Sequence, residues 1–180
     1  DKLIDLDDKV VTYLPQFKGK QKKYFNHKSN ISIKHLLTHS SGLPPFRKYF
    51  LMEGNVESVL DSLYNTEPIY DLEEKTVYSD VGIITLGKIV EKVTLKDLNT
   101  YVEDNITDPL GMHTTFFNPP KEKINRIVPT EINENNSLIK GYVHDENAYK
   151  LGGVAGHAGL FSTTNDLATF SQMMLNGGIY

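Results

Sequence analysis

At 180 residues the chain is long enough for one domain with a substantial core, and 39% hydrophobic residues with 10% aromatic place it among globular rather than disordered sequences. A net charge of −4, with both signs spread along the sequence, gives no basic footprint for nucleic acid and no polybasic patch for a membrane surface. The absence of cysteine removes disulfides, thiolate metal sites and a cysteine nucleophile together, and no run of about 18 apolar residues forms a membrane segment.

In chain order, Asp7 or Asp8 can cap a short helix over Val10, Val11, Tyr13 and Leu14, which Pro15 ends. The lysine-rich run 18–23 reads as a solvated loop. Ser32 is a good N-cap for a helix over residues 33–39, with Gly42 as its left-handed stop. Val56, Val59, Leu60 and Leu63 keep helical spacing after Asn55. Residues 81–93 carry apolar side chains around nearly the whole circumference of a helix, which predicts a buried, central element, with Gly82 and Gly87 allowing close approach of another backbone. Thr94-x-x-Asp97 reads as a capping box opening a helix with Leu95, Leu98, Tyr101 and Val102 inward. Residues 118–136, rich in proline, asparagine and charge, predict a long surface excursion. Thr163 or Thr164 caps a last helix in which Leu167, Phe170, Met173 and Met174 share one face. No internal repeat or linker divides the chain.

The chemistry concentrates at Tyr78-Ser79-Asp80, a phenol, a hydroxyl and a carboxylate at the head of the most apolar helix. On the residues alone, Tyr78 is either a site residue or a tyrosine packed at a helix start, and Asp80 is either a site carboxylate or the N-cap of the following helix. His35 and His39, four apart, have a spacing that can bind zinc, yet the glutamate of H-E-x-x-H is absent, which favours polar capping of the Ser40-Ser41-Gly42 turn. His144-Asp145-Glu146-Asn147 reads as fixing a loop rather than as a cation site. The expectation is no metal and no cofactor.

The triplet, taken with Ile31-Ser32-Ile33-Lys34-His35-Leu36-Leu37-Thr38-His39-Ser40-Ser41-Gly42-Leu43-Pro44, Thr107-Asp108-Pro109-Leu110-Gly111-Met112 and Gly156-His157-Ala158-Gly159-Leu160-Phe161-Ser162-Thr163, resembles the beta-lactamase-related serine hydrolases: class C beta-lactamases, D-alanyl-D-alanine peptidases and esterases. The resemblance runs from about residue 6 to residue 180. It implies an α+β, beta-lactamase/transpeptidase-like fold, of which this chain supplies mainly the helical lobe with few strands. It also implies acyl-serine chemistry on an amide, lactam or ester bond of a small-molecule or peptide substrate, in the periplasm or outside the cell.

In that family the nucleophile belongs to an S-x-x-K element upstream of a stretch like residues 6–10, and a third element, K-T-G or H-x-G, follows the helix carrying Asp166. Residues 1–180 are therefore read as a single partial domain lacking both elements, inactive in isolation. The resemblance makes Tyr78 the catalytic proton carrier, whose phenolate needs a nearby cation because an ordinary phenol has a pKa near 10. Asp80 stands where relatives often carry asparagine; it can orient a lysine but cannot donate to substrate when ionised, which weakens the case for beta-lactam binding. His157 lines the substrate cleft or simply fills a glycine-rich turn. Ser137-Leu138-Ile139-Lys140 matches S-x-x-K by letter only, since it follows the tyrosine and lacks a helical context, and His157-Ala158-Gly159 likewise matches H-x-G by letter. The competing expectation is a non-catalytic binding or wall-associated module with the same fold, favoured by Asp80. Apolar helices without the rest of their fold predict self-association through exposed apolar surface.

Overall fold

A computed structural model describes residues 3–180, which form two compact units that divide between Lys96 and Asp97. In the first unit, residues 6–10 run antiparallel to residues 31–34, through bonds such as Val10 N to Ile31 O and Ile33 N to Asp8 O, both 3.0 Å. This pairing makes Lys9, not an aspartate, the N-cap of α1 (Val10–Tyr13). Asp8 lies one residue too early to cap; its carboxylate instead accepts from the Tyr13 hydroxyl and the Asp5 amide. The lysine-rich run carries the 3-10 turns Pro15–Lys18 and Lys22–Tyr24, and α2 (Phe25–Asn30), which the sequence pattern did not announce, follows.

Helix α3 (Ile33–Leu37) opens at Ser32 as expected. Its cap is reciprocal: Ser32 Oγ accepts from His35 N at 3.3 Å while His35 Nδ1 accepts from Ser32 N at 3.1 Å, a histidine doing what glutamate does in a capping box. The expected stop at Gly42 is displaced. His39 takes the left-handed conformation (φ 56°), and Ser40 N to His35 O with His39 N to Leu36 O completes a Schellman closure. Helix α4 (Val56–Tyr64) is capped by Asn55 and buries Val59 and Leu63, as its spacing predicts.

Helix α5 (Asp80–Thr94) packs against α1 and α3 and buries Val81, Ile84, Thr85 and Ile89, with the Leu36 side chain, rather than another backbone, against Gly82. It is longer than the capping-box reading allowed: Thr94 is its last residue, and Leu95, left-handed at φ 57° and 88% exposed, terminates it instead of facing a core.

In the second unit Asp97 alone caps α6 (Leu98–Val102), which widens into a π-helical turn, Glu103–Thr107. Strand β1 (Phe116–Phe117) precedes a 3-10 turn, Lys121–Arg126. The hairpin β2 (Glu131–Ile132) and β3 (Leu138–Ile139) then occupies much of the expected surface excursion. Helix α7 (Glu146–Lys150) leads to β4 (Leu160–Phe161), which pairs antiparallel with β1 in the register Phe116 to Phe161. Helix α8 (Thr164–Leu175) is capped by Thr163. Its rotation differs from the expected apolar face, because Asp166 Oδ2 is anchored by Thr114 N, Thr114 Oγ1 and Thr115 Oγ1 at 2.7–2.9 Å. Phe170 and Met173 follow Asp166 inward at helical spacing, and Leu167 and Met174 turn outward.

Candidate active site

The triplet at the head of α5 is held by the turn that follows α3. Ser79, not Asp80, is the N-cap: its Oγ accepts from Gly82 N at 3.2 Å and donates to Pro44 O at 2.7 Å. Asp80 is the first residue of α5, where the helix dipole favours a negative charge, and its amide donates to Pro45 O at 2.9 Å. Val77 N donates to His39 O at 2.9 Å and Ser79 N to His39 Nδ1 at 3.3 Å. Segment 39–45 thus cradles segment 77–82, which is the physical reason the two stretches belong together. Gly42 is required in this cradle: at φ 76° it sits so close to residue 70 that a Cβ would lie 2.2 Å from Tyr70 O. Tyr78 is 56% exposed, so the phenol meets solvent rather than being sealed in packing, and its ring lies 4.7 Å from that of His39, tilted by 50°.

His157 lies in the second unit. Its side chain is only 2% exposed, and Nε2 pairs with Asp145 Oδ1 at 2.9 Å. In the neutral ring this pairing puts the proton on Nε2 and the lone pair on Nδ1, which is buried and without a hydrogen-bond partner among the described residues. Asp145 also caps α7 by accepting from Ala148 N at 2.7 Å. Burial pushes the Asp145 carboxyl up, but the hydrogen bonds from His157 and the Ala148 amide outweigh it and hold the group below the usual carboxylate range. Asp145 lines a cavity of about 690 Å³ within this unit, together with Phe116, Tyr142, Phe161, Lys123 and Arg126. The glycine-rich segment folds on itself here: a Cβ at Gly159 (φ 115°) would lie 2.3 Å from Gly153 O.

The structure sets Tyr78 and Asp80 on either side of the α5 cap and gives His157 a carboxylate partner. His35 and His39 do not converge: His35 serves its own cap and lies 3.4 Å from Glu73, whereas His39 turns to residues 77–79. Ser137 and Lys140 flank the two residues of β3, so they do not face each other across a helical turn. Sequence reasoning missed the link from His39 to Tyr78 and that from Asp145 to His157. The only trace of the first was a histidine where a helix stops; the second joins residues twelve apart across α7 and the glycine-rich segment after it.

A family model described as Beta-lactamase matches residues 1–180, and the chain belongs to that family. A putative D-alanyl-D-alanine carboxypeptidase of Escherichia coli (strain K12) is 39% identical over 97% of this chain and 45% of its own length. One from Salmonella typhimurium is 36% identical over 98% of the chain and 46% of its own length. The chain therefore spans less than half the length of these relatives. Among solved structures, a class C beta-lactamase matches with a TM-score of 0.75 at 22% identity, covering 99% of this chain and 45% of that one. FmtA from Staphylococcus aureus matches at 0.73 and 22%, covering 99% and 47%. At these identities the likeness is one of fold: α+β, beta-lactamase/transpeptidase-like, represented here by a helix-rich portion with few strands.

Proposed function

We propose that this chain is part of a serine hydrolase that passes the acyl group of an amide, lactam or ester to a serine and then to water. The observation that carries the reading is the exposed Tyr78 phenol, fixed beside a capped helix start by a dedicated cradle. In this reading Tyr78 moves protons between the serine and the leaving group, Asp80 orients a lysine ammonium, and His157 serves substrate binding by holding Asp145 at the cavity wall. The serine and lysine of S-x-x-K, and the third element, are assigned to parts of a longer protein outside these 180 residues. A cavity of about 690 Å³ with aromatic and charged walls suits a small-molecule or peptide substrate. Relatives named carboxypeptidases support a periplasmic or extracellular setting; among the described residues no helix is long and apolar enough to cross a membrane.

In the full-length protein, Tyr78→Phe is expected to cut turnover of a nitrophenyl ester by at least about a hundredfold, the usual worth of general acid–base catalysis. Unchanged turnover would remove Tyr78 from the mechanism. The isolated 180 residues are expected to hydrolyse neither that ester nor nitrocefin, and robust turnover by them would refute the assignment of the nucleophile. Asp80 favours a second reading, a binding or wall-associated module of the same fold. A serine three residues before a lysine in the preceding segment of the full-length protein would count against it.

A further inference from the structure

We infer that His39 is a positioning residue that locks the Tyr78 phenol in place, an inference that rests on the proposed role of Tyr78. His39 grips the three residues 77–79 at three separate points. Its carbonyl accepts from Val77 N at 2.9 Å, its Nδ1 accepts from Ser79 N at 3.3 Å, and between them its ring packs on that of Tyr78 at 4.7 Å. The grip fixes the peptides on both sides of Tyr78 and sets a second ring, tilted by 50°, against its own, which restricts where the phenol can swing.

The backbone of His39 shows that the imidazole is what this position gains. At φ 56° it closes α3 in a conformation that glycine or asparagine adopts at lower cost. A residue needed only to end the helix would be one of those. The imidazole adds two things that glycine cannot: an acceptor for the Ser79 amide and a flat surface for the tyrosine. The same left-handed turn aims the ring away from α3, whereas His35, within the helix, bends back to Ser32. Because Nδ1 is the acceptor, the neutral ring carries its proton on Nε2.

Three substitutions separate the contributions. His39→Gly keeps the turn and removes the ring; His39→Asn keeps the turn and offers a side-chain oxygen near the position of Nδ1; His39→Phe keeps a ring and loses the acceptor. In the 180-residue chain, hydrogen exchange at the Ser79 amide is expected to quicken about tenfold in the Gly and Phe variants and to stay near wild type in the Asn variant. A 3-fluorotyrosine label at position 78 is expected to shift in the Gly and Asn variants, which lack the neighbouring ring, and to stay close to its original position in the Phe variant. In the full-length protein the Gly variant should lose about tenfold in kcat on a nitrophenyl ester with KM unchanged.

An unaltered Ser79 exchange rate together with an unaltered fluorine shift in the Gly variant would overturn the clamp. Should the Gly variant not fold, the fluorine shift of the Asn variant decides in the same way. Normal turnover by Tyr78→Phe alongside altered exchange and fluorine signals would instead overturn the catalytic assignment and leave the clamp standing.

Discussion

Lys28 places an ammonium group at 2% exposure, where it donates to Tyr64 O at 2.6 Å and Thr66 O at 3.1 Å and lies 4.6 Å from the centre of the Phe17 ring. Carbonyl dipoles and a ring face replace water, and burial lowers its pKa from 10.5 to about 8. Folding thus disfavours the charged lysine, so the unfolded chain holds more protons between about pH 8 and 10.5 and stability rises with pH across that window. The gain is on the order of 3 kcal/mol for a shift of this size. Tyr64 opposes it at higher pH: burial raises its pKa from 10.0 to about 12, and stability falls as pH climbs between those values. The expected profile is a maximum near the start of the tyrosine window, about pH 10, measurable by urea denaturation from pH 7 to 11. Lys28→Met should flatten the rise below pH 10; a wild-type profile that stays flat there would show that water reaches the ammonium.

At the scale of the element, α5 depends on how its first turn is tied. Ser79 Oγ both caps Gly82 N and supplies the donor for Pro44 O, so Ser79→Ala removes an N-cap and a buried hydrogen bond to the cradle in one step. We expect a loss of roughly 2 kcal/mol of stability in urea denaturation, accompanied by faster amide exchange at Gly82. A loss below roughly 0.5 kcal/mol, within the range of an ordinary surface substitution, would mean that the remaining bonds suffice. Helix α8 shows the same dependence on an end. Three hydrogen bonds to Asp166 outweigh the cost of burying its carboxyl, keep its pKa below the ordinary range and set the helix's rotation. Apolar spacing read along the sequence carries the period of a helix but not its phase against a neighbour. That is why the elements were legible in α4, α5 and α8, while the inward face of α8 was not. The cap at Ser32 was legible, and that of α8 was narrowed to Thr163 or Thr164, because each is a local choice made within four residues.

For the whole molecule, what the sequence could not show are the pairings that close over distance. The two-residue strands joining Phe116 to Phe161 leave no alternation to detect, and the cradle around Tyr78 joins residues 35–38 positions apart through main-chain carbonyls that have no side-chain signature. The resemblance to a family brought those stretches together without giving the reason, which lies in the bonds that His39, Pro44 and Pro45 accept from residues 77–80. The same phase that turns Asp166 inward leaves Leu167, Met174 and Leu175 exposed on α8. Single exposed apolar side chains are ordinary, but a set on one helix that also lies near Ile179 and Tyr180 in sequence is the surface on which the proposed self-association would rest. The purified 180 residues are therefore expected to sediment faster as concentration rises, and the paired change Met174→Lys with Leu175→Lys to abolish that dependence without altering helix content. A concentration-independent monomer in the wild-type chain would show that these side chains are tolerated in water and that self-association is not a property of this surface.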